Sequence, residues 1–386
     1  MDYPIAGVTA PGFERVREVF EKNFTDDVEV GAGFCAIHSG RIVVDLWGGY
    51  HDQAGQTAWT PDTLVNVYST TKGLAALAFA TVVEDGLIDY EAPVAEYWPE
   101  LKAAANGLTV AELLSHQGGL CGVSETISVA DLYDWEKMCH LLEQQEPFWP
   151  PGSAAGYHAI LWGYLPGELA RRTTGKRLGE LLRERITGPL GADFYIGLPD
   201  SEMSRVAPMI GVSRARIQQD LSQFADLTMS ELYPVALQNP VIRPYKDASS
   251  DAWRRAEISA ANGQGNAKGI ATVYAAAAMG GAANEVRILK PETLAALTRE
   301  RVGMEPDLVL GRPIRRGAGV ILNTEGQYGP NIEAFGHSGA GGSIGFADPA
   351  SGLAIGYAMN QMQNNLDNDT RGGRLLRAVY ESLEAV

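Results

Sequence analysis

NVYSTTKGLAALAFATVVEDG, residues 66–86, decides how the rest of the chain is read. From Leu74 onward it is almost wholly apolar (Leu74, Ala75, Leu77, Ala78, Phe79, Val82, Val83), with Gly86 as a stop signal. Such a run predicts a helix buried on all sides and closed by a glycine cap. At its mouth stand Ser69 and Lys72. Residues i and i+3 of an α-helix lie about 60° apart around the axis and about one turn apart along it, so the amine can reach the hydroxyl. A serine hydroxyl is a poor nucleophile until a base takes its proton. An ammonium cannot be that base, but burial and a positive helix N-terminus both disfavour the charged form. The same helix start offers N–H groups to an oxyanion. S-x-x-K arises by chance in many chains, mostly on wet surfaces. Here the buried helix behind it demands a reason for the lysine.

Working outward, PGFERVREVFEKNF (residues 11–24) predicts a helix with Val16, Val19, Phe20 and Phe24 on one face and Pro11 at an early position. VEVGAGFCAIHSGRIVVDLWGGY (28–50) predicts a hairpin turning at His38-Ser39-Gly40. From about Asp89 to Pro240 the pattern is helix-rich, with loops carrying Pro and Gly. Residues 226–258 show no assignable period. AKGIATVYAAAAMGG (267–281) and KPETLAALTRERV (290–302) predict helices. RGAGVIL (316–322) and residues 333–362 are strand-like, with a turn at Asp348–Gly352, and residues 370–386 end the chain as a helix. Strands therefore lie at both ends and helices between them. The expected fold is α/β in the broad sense (α+β). One antiparallel sheet is built from both terminal sets of strands, helices flank it, and a helical lobe completes the chain. The expected division is a discontinuous mixed domain, 1–68 with 245–386, and a mostly helical domain, 69–244. The site would lie in the cleft between them.

Composition narrows the function classes. The 386 residues are 45% hydrophobic and 20% charged, an ordinary globular balance. A formal net charge of -16 repels phosphate backbones and anionic lipid, so neither nucleic acid nor a membrane surface is an expected partner. Cys35, Cys121 and Cys139 are odd in number and have no C-x-x-C spacing, which predicts reduced thiols. The first residues show no basic start followed by an apolar run, and no stretch is long enough to span a bilayer. The expected location is the cytoplasm.

Two further segments can complete the chemistry. WPPGSAAGYHAILWGYL (149–165) sets Tyr157 after a Pro/Gly-rich loop and before a helical segment. A phenol there can relay a proton between serine, lysine and leaving group. Its tryptophans, Trp149 and Trp162, are candidates to line an acyl pocket. FGHSGAGGSIGF (335–346) is a glycine-rich connection between strands, where backbone N–H groups can approach a ligand. Taken singly, Tyr157 reads as one more packed aromatic and His337 as a satisfied turn histidine. Taken together, Ser69-Thr70-Thr71-Lys72, Tyr157-His158-Ala159 and His337-Ser338-Gly339 resemble, in order and spacing, the three motifs of serine β-lactamases and penicillin-recognising enzymes. The branch they most resemble is that of class C β-lactamases and family VIII carboxylesterases. The resemblance runs from about Phe13 to the C-terminus.

The resemblance implies Ser69 as acylated nucleophile and Lys72 with Tyr157 as base and proton relay, without assigning the base to either. It implies the N–H groups of Ser69 and Ala340 as oxyanion hole, and His337, Ser338 and Gly339 as substrate contacts. It implies no metal and no cofactor. Two departures bear on the substrate. Ala159 stands where the family has Asn, and His337 where it has a lysine that attracts a carboxylate. Histidine is mostly neutral at pH 7, which favours an uncharged ester over a β-lactam. The expectation is a short-chain carboxylic esterase acting on a small-molecule ester. The same-family alternatives are β-lactamase, D-aminopeptidase or amidase, and transesterase, and a non-catalytic ligand-binding member of the fold is the further alternative. Other catalytic plans fit poorly. Gly341-Gly342-Ser343-Ile344-Gly345 matches G-x-S-x-G, but no histidine follows Ser343 to complete an α/β-hydrolase triad. The six histidines are scattered without metal-ligand spacing, and GQGNAKG is not a dinucleotide-binding fingerprint.

Overall fold

The apolar segments at the two ends of the chain meet in one seven-stranded sheet. This is seen in the computed structural model, which describes residues 3–26, 28–212, 230–363 and 370–385. The N-terminal part supplies β1 (Ile5–Thr9), β2 (Gly31–His38) and β3 (Arg41–Gly49). The C-terminal part supplies β4 (Ile321–Leu322), β5 (Phe335–Ser338), β6 (Ile344–Asp348) and β7 (Leu353–Met359). Their order is β1-β3-β2-β7-β6-β5-β4, and every neighbouring pair is antiparallel. The two ends join where β7 pairs with β2, from Leu353 opposite His38 to Met359 opposite Ala32. The predicted hairpin turns at Ser39 and Gly40, whose φ angles of 50° and 74° suit a tight two-residue connection. The edge strand β1 was not anticipated: five residues interrupted by Gly7 are too short to show an alternating pattern.

Helices cover both faces. α1 (Glu14–Thr25) buries Val16, Phe20 and Phe24 as expected. Pro11 lies outside it, in the preceding turn closed by the Phe13 N–H on Ala10 O. α2 (Thr70–Glu84) is buried without exception from Thr70 to Val82, and Gly86, at φ 72°, follows its C-terminus. The middle of the chain is helical but in shorter pieces than its composition suggests, among them α3 (Trp135–Gln144) and α4 (Tyr164–Thr174). Within the stretch that showed no period, residues 226–229 lie outside the described residues. The rest holds three helices of five residues or fewer, Tyr233–Leu237, Pro244–Asp247 and Asp251–Arg255. α5 (Ala267–Ala278), α6 (Pro291–Thr298) and α7 (Thr370–Ala385) complete the set.

Alternation along the central strands decides which helix meets which face. Gly345 and Gly356 are direct partners across β6 and β7 and both face α5. Their neighbours Ile344 and Tyr357 point the other way, toward Gly372 of α7. A Cβ on Gly356 would lie 2.0 Å from Ala267 O and 2.8 Å from Ala271 N, so the glycine lets the α5 backbone rest on the sheet. On the same face a Cβ on Gly33 would come no nearer than 3.4 Å to any atom, Ala267 Cβ being the first it meets, an ordinary contact. Gly356→Ala is therefore expected to cost about 1–3 kcal/mol, as overpacking does, and Gly33→Ala much less, in paired urea-unfolding curves.

Candidate active site

A small three-stranded sheet aims the start of α2. Val65–Asn66 pairs with Gln264–Gly265, which pairs in turn with Phe194–Tyr195. Asn66 is buried and fixed: its Oδ1 accepts from Trp253 Nε1 and Gln264 Nε2, both at 2.9 Å. The Val67 N–H donates to Gly263 O, and Thr71 Oγ1 accepts from the Gly263 N–H. Between these anchors Tyr68 adopts φ 45°, a left-handed conformation that costs a side-chain-bearing residue energy and that local packing must hold. The chain turns there, and Ser69 follows as the N-cap of α2.

Ser69, Lys72 and Tyr157 come together at this turn. Lys72 Nζ lies 3.1 Å from Ser69 Oγ, and Tyr157 donates its phenolic O–H to the same oxygen at 2.7 Å. The amine also donates to two main-chain carbonyls, Ala159 O at 2.7 Å and Ala260 O at 2.9 Å. Lys72 is 0% exposed, and among the described residues no carboxylate bears on it, so desolvation holds its pKa well below the ordinary lysine value. Burial pushes the Tyr157 phenol up to about 12, against the opposing hydrogen bond from Ser69. Burial thus disfavours the charged form of both groups, drawing the amine toward its neutral state and holding the proton on the phenol.

The glycine-rich connection after β5 is fastened to the same place. A Cβ on Gly339 would lie 2.1 Å from Val67 O, so only glycine fits against the peptide that leads into Ser69. Ser343 Oγ donates to Val67 O and sits 2.9 Å from Thr70 Oγ1. This serine is wholly buried and bonded to main chain, which makes it a brace rather than a nucleophile. Ala340 is exposed at the tip, and among the described residues neither its N–H nor that of Ser69 has a backbone acceptor. Arg371 holds the far side of the connection: its Nη2 donates to Gly341 O at 2.6 Å, and its Nη1 pairs with the buried Glu29.

His337 stands on β5, and Ser338 and Gly339 follow it half-buried. The His337 ring is 3% exposed, with Nδ1 2.7 Å from Ser338 O and Nε2 without a partner. Desolvation pushes its pKa down to about 3, so it is neutral at physiological pH. The two tryptophans do not line an open pocket: Trp162 is 0% exposed and donates to Leu114 O, and Trp149 is nearly buried and donates to Ala154 O. Sequence reasoning missed the Ala159 and Ala260 carbonyls, because a main-chain acceptor leaves no signature in residue types. It also missed the left-handed Tyr68. Among the described residues no group of His, Cys, Asp or Glu is arranged to hold a metal ion, and no helix is long and apolar enough to cross a membrane.

The Beta-lactamase family model matches residues 20–380. Among curated proteins, the chain is 35% identical over 379 residues to the esterase/beta-lactamase LipL of Mycobacterium tuberculosis, covering 94% of this chain and 84% of that protein. A family VIII carboxylesterase of known structure is 48% identical, with a TM-score of 0.91 over 98% of this chain and 100% of that one. A penicillin-binding protein homologue from Caulobacter crescentus is 42% identical, with a TM-score of 0.88 over 98% and 100% of the two chains.

Two outcomes test the geometry. A fluorophosphonate reagent should add to Ser69 alone in peptide mass spectrometry, with labelling abolished by Ser69→Ala and retained by Ser343→Ala. The second concerns Lys72. Its folded pKa is lowered, so between that value and 10.5 the unfolded chain binds the extra proton and stability rises with pH. Wild type should therefore gain stability relative to Lys72→Met as pH rises from 7 toward 10, by up to about 1.4 kcal/mol per pH unit, in denaturant titrations.

Proposed function

The chain belongs to the beta-lactamase family, and from that premise we propose that it is a serine carboxylesterase that cleaves short-chain esters through an acyl-enzyme on Ser69. The observation that carries this reading is the setting of Lys72 Nζ between Ser69 Oγ and the carbonyls of Ala159 and Ala260. A neutral amine has two hydrogens and one lone pair. With both hydrogens given to the carbonyls, the lone pair is left for the serine O–H. Tyr157 O–H, Ser69 O–H and Lys72 N then form one chain of donors leading to an acceptor. Lys72 is the base and Tyr157 the acid.

Acylation proceeds in balanced steps. Ser69 Oγ bonds to the ester carbonyl carbon while its proton passes to Lys72 Nζ. The N–H groups of Ser69 and Ala340 take the oxyanion. On collapse, the bond to the alcohol oxygen breaks, the phenol of Tyr157 protonates that oxygen, and the proton on Lys72 restores the phenol. Water then attacks the acyl carbon, and the same groups return the proton to Ser69.

The ester is favoured over a β-lactam by charge. A β-lactam presents a carboxylate, and the family's lysine position is here His337, buried and neutral. The nearby guanidiniums of Arg316 and Arg371 are engaged by Asp307 and Glu29. Substrate contacts are assigned to the Ser338–Ala340 edge through its main chain. The site lies where the helical middle of the chain, residues 69–244, meets the sheet-bearing part. Three buried free cysteines suit a reducing compartment such as the cytoplasm.

Short-chain p-nitrophenyl esters should be hydrolysed with kcat/KM at least about 100-fold above that for a chromogenic cephalosporin, the worth of one missing charge-assisted contact. Ser69→Ala and Lys72→Arg should each abolish turnover, since a guanidinium keeps its proton. The acidic limb of the kcat/KM profile should lie well below the ordinary lysine range and should vanish from no His337→Gln variant. Hydrolysis of the cephalosporin in preference to every ester would overturn the assignment.

A further inference from the structure

The segment that carries Tyr157 is neither helix nor strand, so its main-chain groups must be satisfied from elsewhere. Several are tied to backbone: Phe148 N–H to Gly119 O, Gly152 N–H to Gln117 O, Gly156 N–H to His116 O, and Leu308 N–H to Ala155 O. The two N–H groups at the phenol's own position are held by side chains. His158 N–H donates to His116 Nδ1 at 3.0 Å, and Tyr157 N–H donates to Asp307 Oδ1 at 3.1 Å. Asp307 is 2% exposed, and the same oxygen accepts from Val309 N–H and Leu310 N–H at 2.9 and 2.8 Å. Its other oxygen takes Arg316 Nη2 at 2.5 Å. Arg316 is itself 2% exposed, and its Nε and Nη1 have no partner.

That arrangement is more than loop closure needs. A neutral side-chain oxygen could collect three N–H groups, whereas a buried ion pair with two unsatisfied guanidinium nitrogens costs desolvation without full return. The extra cost sits directly behind the Tyr157 peptide. We propose that Asp307, locked in place by Arg316, is a positioning residue for Tyr157, holding the phenol where it can protonate the departing alcohol. The inference rests on the esterase reading above.

The step it serves has a distinctive dependence on substrate. When the carbon–oxygen bond to the leaving group breaks, the electron pair goes to that oxygen. An alkoxide must receive the phenol's proton as it leaves, whereas p-nitrophenolate, the anion of a far stronger acid, leaves without one. A displaced phenol therefore slows alkyl esters selectively. Loss of general folding slows both alike.

The test compares kcat/KM for ethyl butyrate and p-nitrophenyl butyrate in the full-length protein. The acyl group is shared, so deacylation is common to both. Asp307→Ala should lower the ethyl-to-nitrophenyl ratio by at least about 10-fold, as misplacement of a catalytic group does. Asp307→Asn keeps an oxygen for the Tyr157 N–H but loses the charge that Arg316 locks, and should lower the ratio by less than Asp307→Ala does. Tyr157→Phe should show the same selective loss, and adding Asp307→Ala to it should change the ratio no further. Should Asp307→Ala fail to fold, Arg316→Lys loosens the lock while keeping its charge, and should lower the ratio in the same direction by less. Equal losses on both esters, a ratio in Asp307→Asn as low as in Asp307→Ala, or an unchanged ratio in Arg316→Lys would overturn the proposal. A wild-type protein that hydrolyses neither ester would instead overturn the esterase reading.

Discussion

A lysine amine with no exposure to solvent is the constraint on which the rest of the structure depends. Lys72 emerges from a helix with no exposed residue between Thr70 and Val82, and among the described residues it has no carboxylate to neutralise it. Such a group survives only by giving up its proton or by finding acceptors for every hydrogen. The site supplies two carbonyls, Ala159 O and Ala260 O, from segments far apart in sequence. With Ser69 Oγ at 3.1 Å, three oxygens surround the nitrogen, so burial and not the number of acceptors is what disfavours the charged form. The small sheet, the tight glycine contacts and the left-handed Tyr68 all hold those carbonyls and Ser69 around one nitrogen.

The same dryness governs the histidines. His116, His158 and His337 are all buried, and each is pushed down by desolvation, His158 to about 4 and His337 to about 3. Neutral rings serve as fixed acceptors. His116 Nδ1 takes the His158 N–H, and His158 Nε2 takes the Leu120 N–H. They pack around Tyr157 and Trp162 without adding charge beside Lys72. The surroundings of the amine are therefore poor in charge, and the buried ion pair of Asp307 with Arg316 is internally balanced.

How much of this was legible follows from distance along the chain. Ser69 and Lys72 could be read because one helical turn brings them together, and the apolar run after them announced burial. The sheet could be read because β2, β3, β6 and β7 are long enough to show their pattern. β1, broken by Gly7, is too short to do so, and of the strand-like run 316–322 only Ile321 and Leu322 form β4. Tyr157 meets Ser69 across 88 positions, and nothing in its neighbours predicts that, so only the order of three motifs suggested it. Asp307 and Arg316 belong to no motif, and nothing in their neighbours marks either residue. Their importance appears only when the Tyr157 N–H is seen to need an acceptor. Trp162 misled because an aromatic beside a site residue has the same sequence signal whether it lines a pocket or fills the core.

Ser343 shows how the physical reading separates look-alikes. Its pattern, G-x-S-x-G, is that of a nucleophile, but a nucleophile must present its oxygen to substrate and a base to its proton. Ser343 Oγ gives its hydrogen to Val67 O, is 0% exposed, and touches Thr70. The glycines around it serve the close approach of the connection to the peptide before Ser69. A β-carbon at Gly339 would collide with both Val67 O and Ser343 Oγ, so the serine and the glycine are one device. That device sets the strand edge against the start of α2, the two elements that carry the proposed oxyanion donors. The apparent second nucleophile is thus part of what gives the first one its surroundings.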